Sequence, residues 1–219
     1  EDRAATLQLE ARSAEMEAMK LQERAYAAHL EAIAARGAAL LSASEADEDR
    51  AREATAREEK AYAEAAGAWK TTADLYANVL ATLGEASAER VQPSRVAHAR
   101  ALVRSGEIWL GIQELEGLLE QLPTLNAGGP SRDGALERTA REELATACYY
   151  GARLLRLSGM PAQEWMVESG KARQQFRYLA EQARRGGITV DGAEGERSEQ
   201  AERHQRNLEL VLNLEQLAL

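Results

Sequence analysis

Residues 93–123 read PSRVAHARALVRSGEIWLGIQELEGLLEQLP, and this stretch decides the fold. Val96, Ala99, Leu102 and Val103 recur as they would on one side of a helix. Ser105-Gly106 interrupts that run, and Ile108, Gly111, Ile112, Leu115, Leu118 and Leu119 make a second apolar face. Leu122-Pro123 predicts a stop, because proline lacks the amide proton of a helix interior and restricts the residue before it. The stretch is therefore expected to form two short antiparallel helices around a tight turn. Such a hairpin cannot bury its own apolar faces and needs neighbours. An all-α packing protein follows.

The same residues resemble a tetratricopeptide repeat (TPR). Ala99, Leu102, Gly106, Gly111, Leu115 and Pro123 stand at the family's spacing of small, apolar, turn, small, large apolar and closing residues. Arg95 stands where the family has its early aromatic residue. The resemblance covers roughly one repeat of about 34 residues. It implies an α-solenoid-like bundle of antiparallel hairpins whose first helices line a concave groove. In that groove Arg95, Arg100, Arg104, Trp109, Arg153 and Arg156 are the expected contacts for a protein segment, the arginine flank suiting an acidic peptide end. A solvated basic face is the plainer reading of that flank.

Leu144 to Arg184 looks like a divergent copy of the hairpin. ALVRSGEIW is matched by RLLRLSGMP, with Ser158-Gly159 at the turn and Pro161 suited to the first turn of the next helix. Trp165, Met166, Ser169, Ala172, Phe176 and Leu179 continue the apolar face. Gly106 and Gly159 stand too far apart for tandem repeats, and the segment 124–134 supplies much of the excess.

The N-terminal part reads differently. Residues 1–41 predict one long helix in which Leu9, Met16, Met19, Tyr26, Leu30, Ile33, Gly37 and Leu40 form the apolar line and charged residues fill the other faces. SASEADED at 42–49 is a break, with Ser44 placed as a helix start. A second helix then runs to about Leu83, along Ala51, Ala54, Ala61, Tyr62, Ala65, Trp69, Tyr76, Val79, Leu80 and Leu83, with Gly84 as its cap. Its alanine-rich half suits close helix approach in a thin antiparallel hairpin. The expected organisation is a long helical hairpin over 1–84 and TPR-like hairpins with a capping helix over 85–219, or the two running on as one domain. Residues 85–92 connect them, glycine-rich 185–195 reads as a loop, and the last helix, from Glu196, is apolar towards Leu219.

With 219 residues, 45% hydrophobic, the chain can bury a substantial core. A formal net charge of −9 argues against general nucleic-acid binding and against docking on anionic lipid. A single cysteine, Cys148, rules out an intrachain disulfide and reads as a buried structural thiol. Nothing reaches transmembrane length. The cytosol and the periplasm both stay open, as does a signal or anchor before Glu1.

Catalytic, cofactor and metal residues are not expected. His29, His98 and His204 share no metal-ligand spacing, and phosphate loops, nucleophile elbows and paired cysteines are absent. Two functions are expected in order: a non-catalytic scaffold that binds a protein segment in a TPR-like groove, and a structural or assembly subunit that uses the 1–84 hairpin as a coiled-coil arm. Both call for protein partners, and both leave oligomerisation open.

Overall fold

The computed structural model describes residues 2–84, 88–125, 134–185 and 194–216. Among these residues there are seven α-helices and no strand: α1 (Asp2–Ser42), α2 (Glu45–Leu83), α3 (Ala88–Ser105), α4 (Ile108–Leu125), α5 (Gly134–Leu157), α6 (Ala162–Arg185) and α7 (Glu194–Gln216). The expected all-α class holds, and helices pack on their neighbours in the chain: α1 on α2, α4 on α5, α5 on α6 and α6 on α7. The chain divides into two units, Glu1–Ala86 with Arg104–Gly106, and Ser87–Val103 with Glu107–Leu219.

The first unit is the long hairpin. Ala43 takes the left-handed backbone at φ 47°, which reverses the chain in a very short turn. Ser44 starts α2 in extended backbone without a side-chain cap; its carbonyl accepts the amides of Asp47 and Glu48 at 3.0 Å. Ser42 Oγ instead donates to Asp47 Oδ2 at 2.6 Å. Glu45, Asp47 and Glu48 in the first turn suit the positive end of the helix dipole. Gly84 closes α2 as expected, at φ 51°, its amide donating to the Leu80 carbonyl.

The apolar line expected for α1 is not the one it buries. Ala4, Ala11, Ala18, Ala25 and Ala32 are buried, one every seven residues, while Leu9, Met16, Met19, Tyr26, Leu30, Ile33 and Leu40 are exposed. The reason lies in α2, which buries Ala54 and Ala65 nearer the turn and Trp69, Tyr76, Val79 and Leu83 farther from it. Small residues on α1 let the backbones approach closely in the first stretch and leave room for the large α2 side chains in the second, so a large side chain on the α1 seam would hold the helices apart.

The second unit carries the apolar core. Val96, Ala99, Val103, Leu115, Leu118, Leu144, Cys148, Ala172, Phe176, Leu179 and Val211 belong to one buried cluster drawn from α3 to α7. Val211 and the partly buried Leu208 bring α7 onto this core, so the last helix covers it, while Leu210 stays exposed. Trp165 is buried as well. Two proline boundaries differ from expectation. Pro93 does not open α3 but lies inside it as the sixth residue, and the helix runs on with one internal amide bond forgone. Pro123 does not stop α4, which continues to Leu125.

The turn glycines behave as expected. Gly106 and Gly159 have φ of 105° and 75°. At each turn the amide of the following residue reaches back five positions, Glu107 to the Leu102 carbonyl at 2.9 Å and Met160 to the Leu155 carbonyl at 3.0 Å. Both are Schellman ends, where glycine carries the left-handed residue without steric cost. Gly111 marks the close approach of α3 and α4: a Cβ there would stand 2.8 Å from the Ala99 carbonyl oxygen and against Val103. The segment expected as a loop at 124–134 falls mostly outside the described residues, as do 186–193, 85–87 and 217–219.

Candidate functional site

The expected groove residues of the second unit are largely engaged within the fold. Arg95 donates to Gln121 at 2.8 Å and to Gln92 at 3.3 Å, and its Nε lies 4.0 Å from Glu114. His98 meets the other oxygen of Glu114 at 2.6 Å. Arg100 donates through Nε to Glu143 on α5 at 2.6 Å, and both side chains are mostly buried. Arg156 donates to the Leu214 carbonyl at 2.5 Å, with its guanidinium 5.4 Å from the Trp165 ring centre. In the first unit, Arg104 lies 5.2 Å over the Trp69 ring. Each of these arginines makes a contact inside the chain that a partner carboxylate would have to replace.

Trp109 and Arg153 are placed differently. Trp109 is 45% exposed, and its ring edge packs where a Cβ on Gly151 would come within 3.0 Å. Tyr150, Arg153 and Leu154 are exposed on the same stretch of α5. The two other tryptophans, Trp69 and Trp165, are buried. Tryptophan, tyrosine and arginine are the residue types that most often make hot spots when a partner covers them.

The buried titratable groups serve packing. Cys148 is fully buried, and that burial, with Glu168 nearby, pushes its thiol well above the usual range. A thiol kept protonated is a poor nucleophile. Lys171 bridges Glu116 at 2.9 Å and Glu168 at 3.3 Å; burial works against its charge, but the two carboxylates outweigh it and hold its pKa up. His204 is buried with Nδ1 lacking a hydrogen-bond partner. Burial lowers its pKa against the opposing pull of Glu142. Among the described residues no group of three or more His, Cys, Asp or Glu is placed to hold a metal ion. No helix among them is long and apolar enough to cross a membrane.

The most distinctive surface is on the first unit. Successive members of the exposed α1 line lie three or four residues apart, or seven where Arg12, Glu23 or Gly37 intervenes: Leu9, Met16, Met19, Tyr26, Leu30, Ile33 and Leu40. That spacing is a heptad stripe of its own. The buried alanines follow a second heptad, two residues after Leu9, Met16 and Leu30 and one residue before Met19, Tyr26 and Ile33. At 100° per residue the alanine stripe lies about 130° around the helix from the middle of the exposed one. Helix α1 therefore carries two heptad stripes, and α2 covers only the alanine one.

Polar contacts pin the covered seam. Glu58 on α2 receives His29 Nδ1 at 2.5 Å and Arg36 Nη1 at 3.1 Å, and Arg36 also donates to Thr55 at 3.2 Å. The Glu58 carboxyl is held below its usual range, chiefly by the His29 hydrogen bond and, against a smaller effect of burial, by Arg36. Tyr76 donates to Glu15 at 2.5 Å. The residues that sequence reasoning missed are the alanines, although their strict seven-residue recurrence is visible in the sequence. No protein-family model matches the chain, and neither a curated protein nor a solved structure shows significant similarity to it.

Proposed function

We propose that the chain is a non-catalytic assembly subunit whose N-terminal hairpin is a coiled-coil arm for a partner helix. The exposed heptad stripe of α1 carries this reading. A helix with water on one side ordinarily keeps that side polar. Here the watered side holds the large residues and the covered side the small ones. The exposed area of the seven large side chains is of the order of 800 Å², comparable to one partner's share of a standard interface and above the usual largest apolar patch of a monomer. The test is a photo-crosslinking residue at Leu30 of the full chain, expressed in its native cell, with the same residue at Arg57 on α2 as control. Discrete protein adducts from position 30 and none from position 57 are expected. Absence of adducts from position 30 would remove the reading.

A second reading concerns the second unit, as a TPR-like scaffold that grips a protein segment. The close approach of Gly111 to Ala99, the matched glycine turns and the half-exposed Trp109 packed at Gly151 support it. Trp109→Ala with Arg153→Ala should then abolish capture of a partner that the arm variants still retain.

A further inference from the structure

We infer that the helix which covers the exposed seam of α1 is α1 of a second copy of this chain, running antiparallel. The inference rests on the coiled-coil-arm reading and names its occupant. The sequence of the seam selects this arrangement through its two charged members. Between the large residues the stripe contains Arg12 and Glu23 at core-type positions, and Gly37 near its end. In a parallel pair each heptad position meets itself, so Arg12 would face Arg12 and Glu23 would face Glu23 across the seam. Like charges so placed repel, and desolvation adds to the cost.

An antiparallel pair with its two-fold axis between residues 24 and 25 removes both conflicts. Leu9 then stands level with Leu40, Met16 with Ile33 and Met19 with Leu30, so every large aliphatic residue meets another. Arg12 comes level with Gly37, where the helix surface is open: a Cβ on Gly37 would touch nothing within 4 Å. The arginine stem has room to lie across that gap and carry its charge to water. Glu23 comes level with Tyr26, whose hydroxyl can donate to the carboxylate. Sliding the pair by one heptad loses these matches, since Arg12 would then meet Leu30, or Glu23 would meet Ile33. Between Leu9 and Leu40 the seam is about 46 Å long at 1.5 Å per residue, and two copies together bury an area in the standard range for stable complexes.

The experiment uses the full chain. Sedimentation at concentrations on the order of 10 µM should give a dimer. Leu30→Glu should weaken it at least about 100-fold, since the two-fold axis places the carboxylate in the seam twice. Diluted until both are monomeric, the Leu30→Glu chain and the parent should match in helicity and melting, because Leu30 is half in water in the single chain. Ile33→Lys should do the same, which guards against one substitution failing for its own reasons. Orientation is read by disulfides in a Cys148→Ala background. Met19→Cys with Leu30→Cys should link two chains under oxidation, and neither substitution alone should. A dimer linked by Met19→Cys alone would be parallel and would overturn the inference. A chain monomeric throughout would also overturn it, whether it stays in water or binds lipid vesicles. If that monomer still crosslinks to another protein through position 30, the arm reading stands and only its occupant was misassigned. Without such crosslinks both fall.

Discussion

Adding carbon to the covered side of α1 should harm the hairpin more than removing carbon from its outer side. Ala25 is fully buried in the alanine seam, whereas Leu30 is 49% exposed. Ala25→Leu inserts three carbons between two helices whose approach depends on their absence. Overpacking of a well-packed site costs about 1–3 kcal/mol. Leu30→Ala removes three carbons from a side chain that leaves half its surface in water. Full burial of leucine is worth about 1.5–3 kcal/mol, so half burial, with alanine keeping part of the contact, leaves a cost below ~1 kcal/mol. Local hydrogen exchange of α1 amides reads both without assuming that the two units unfold together. Measured under dilute, monomeric conditions, exchange should quicken by about 5- to 150-fold for Ala25→Leu and by less than ~5-fold for Leu30→Ala. If Leu30→Ala quickens exchange as much as Ala25→Leu, the assignment of the covered seam to alanine is wrong.

Gly106→Val and Gly159→Val should each lower stability by about 1 kcal/mol or more, read as a reduced urea midpoint, because a β-branched residue is strained at positive φ. Gly111→Ala should cost about 1–3 kcal/mol by the same measure, since its new methyl would press on the backbone of α3; Gly37→Ala, made in open space, should cost nothing. Acid should destabilise the fold in two stages. The pKa of His204 falls below its ordinary 6.5 on folding, so the unfolded chain binds the proton first and stability declines as pH drops below about 6.5. Glu58, held below 4.5, contributes stability above that pH and loses it as pH falls through its folded value. Melting curves from pH 8 to 3 should show both stages, with His204→Phe removing the first and Glu58→Gln the second. At the alkaline end the raised thiol of Cys148 gives stability that is present below pH 9.0 and lost above it, so Cys148→Ala should flatten that limb.

Much of the helical plan was readable in the residues. The breaks at Ser42, Gly84, Gly106 and Gly159 all fall at helix ends, because glycine and short polar residues leave few other conformations open. The two prolines misled because a helix runs on past a proline where the rest of its packing outweighs one lost amide bond, as α3 does at Pro93 and α4 at Pro123. The face of α1 could not be settled from α1 alone. Large residues dominate any measure of periodicity, yet the neighbour decides which side is covered, and α2 brings its own large residues, Trp69, Tyr76, Val79 and Leu83, beside its alanines. The arginine flank was legible as a charge pattern. Its partners were not: Glu143 lies 43 residues from Arg100, and no local rule couples them. The burial of His204 has the same character, since it depends on how α7 meets the core cluster.

Alanine repeated every seven residues has one further property. On the α1 side each layer looks like the next, so by itself that stripe would accept a slide of a whole heptad. Buried alanine also has no rotamers to choose between and cannot reject a wrong neighbour by its shape. The alanine stripe of α1 therefore brings the helices together while saying nothing by itself about alignment; the α2 side, where Trp69, Tyr76, Val79 and Leu83 are buried as well, differs from layer to layer. The rest of that information sits elsewhere. Ala43 and Ser44 leave too little chain between the helices for slippage at one end. Glu58, gripped by His29 and Arg36, marks the middle, and Tyr76 on Glu15 marks the far stretch. Adhesion and addressing are thus divided on α1 between different residues, the one repetitive and apolar, the other sparse and polar.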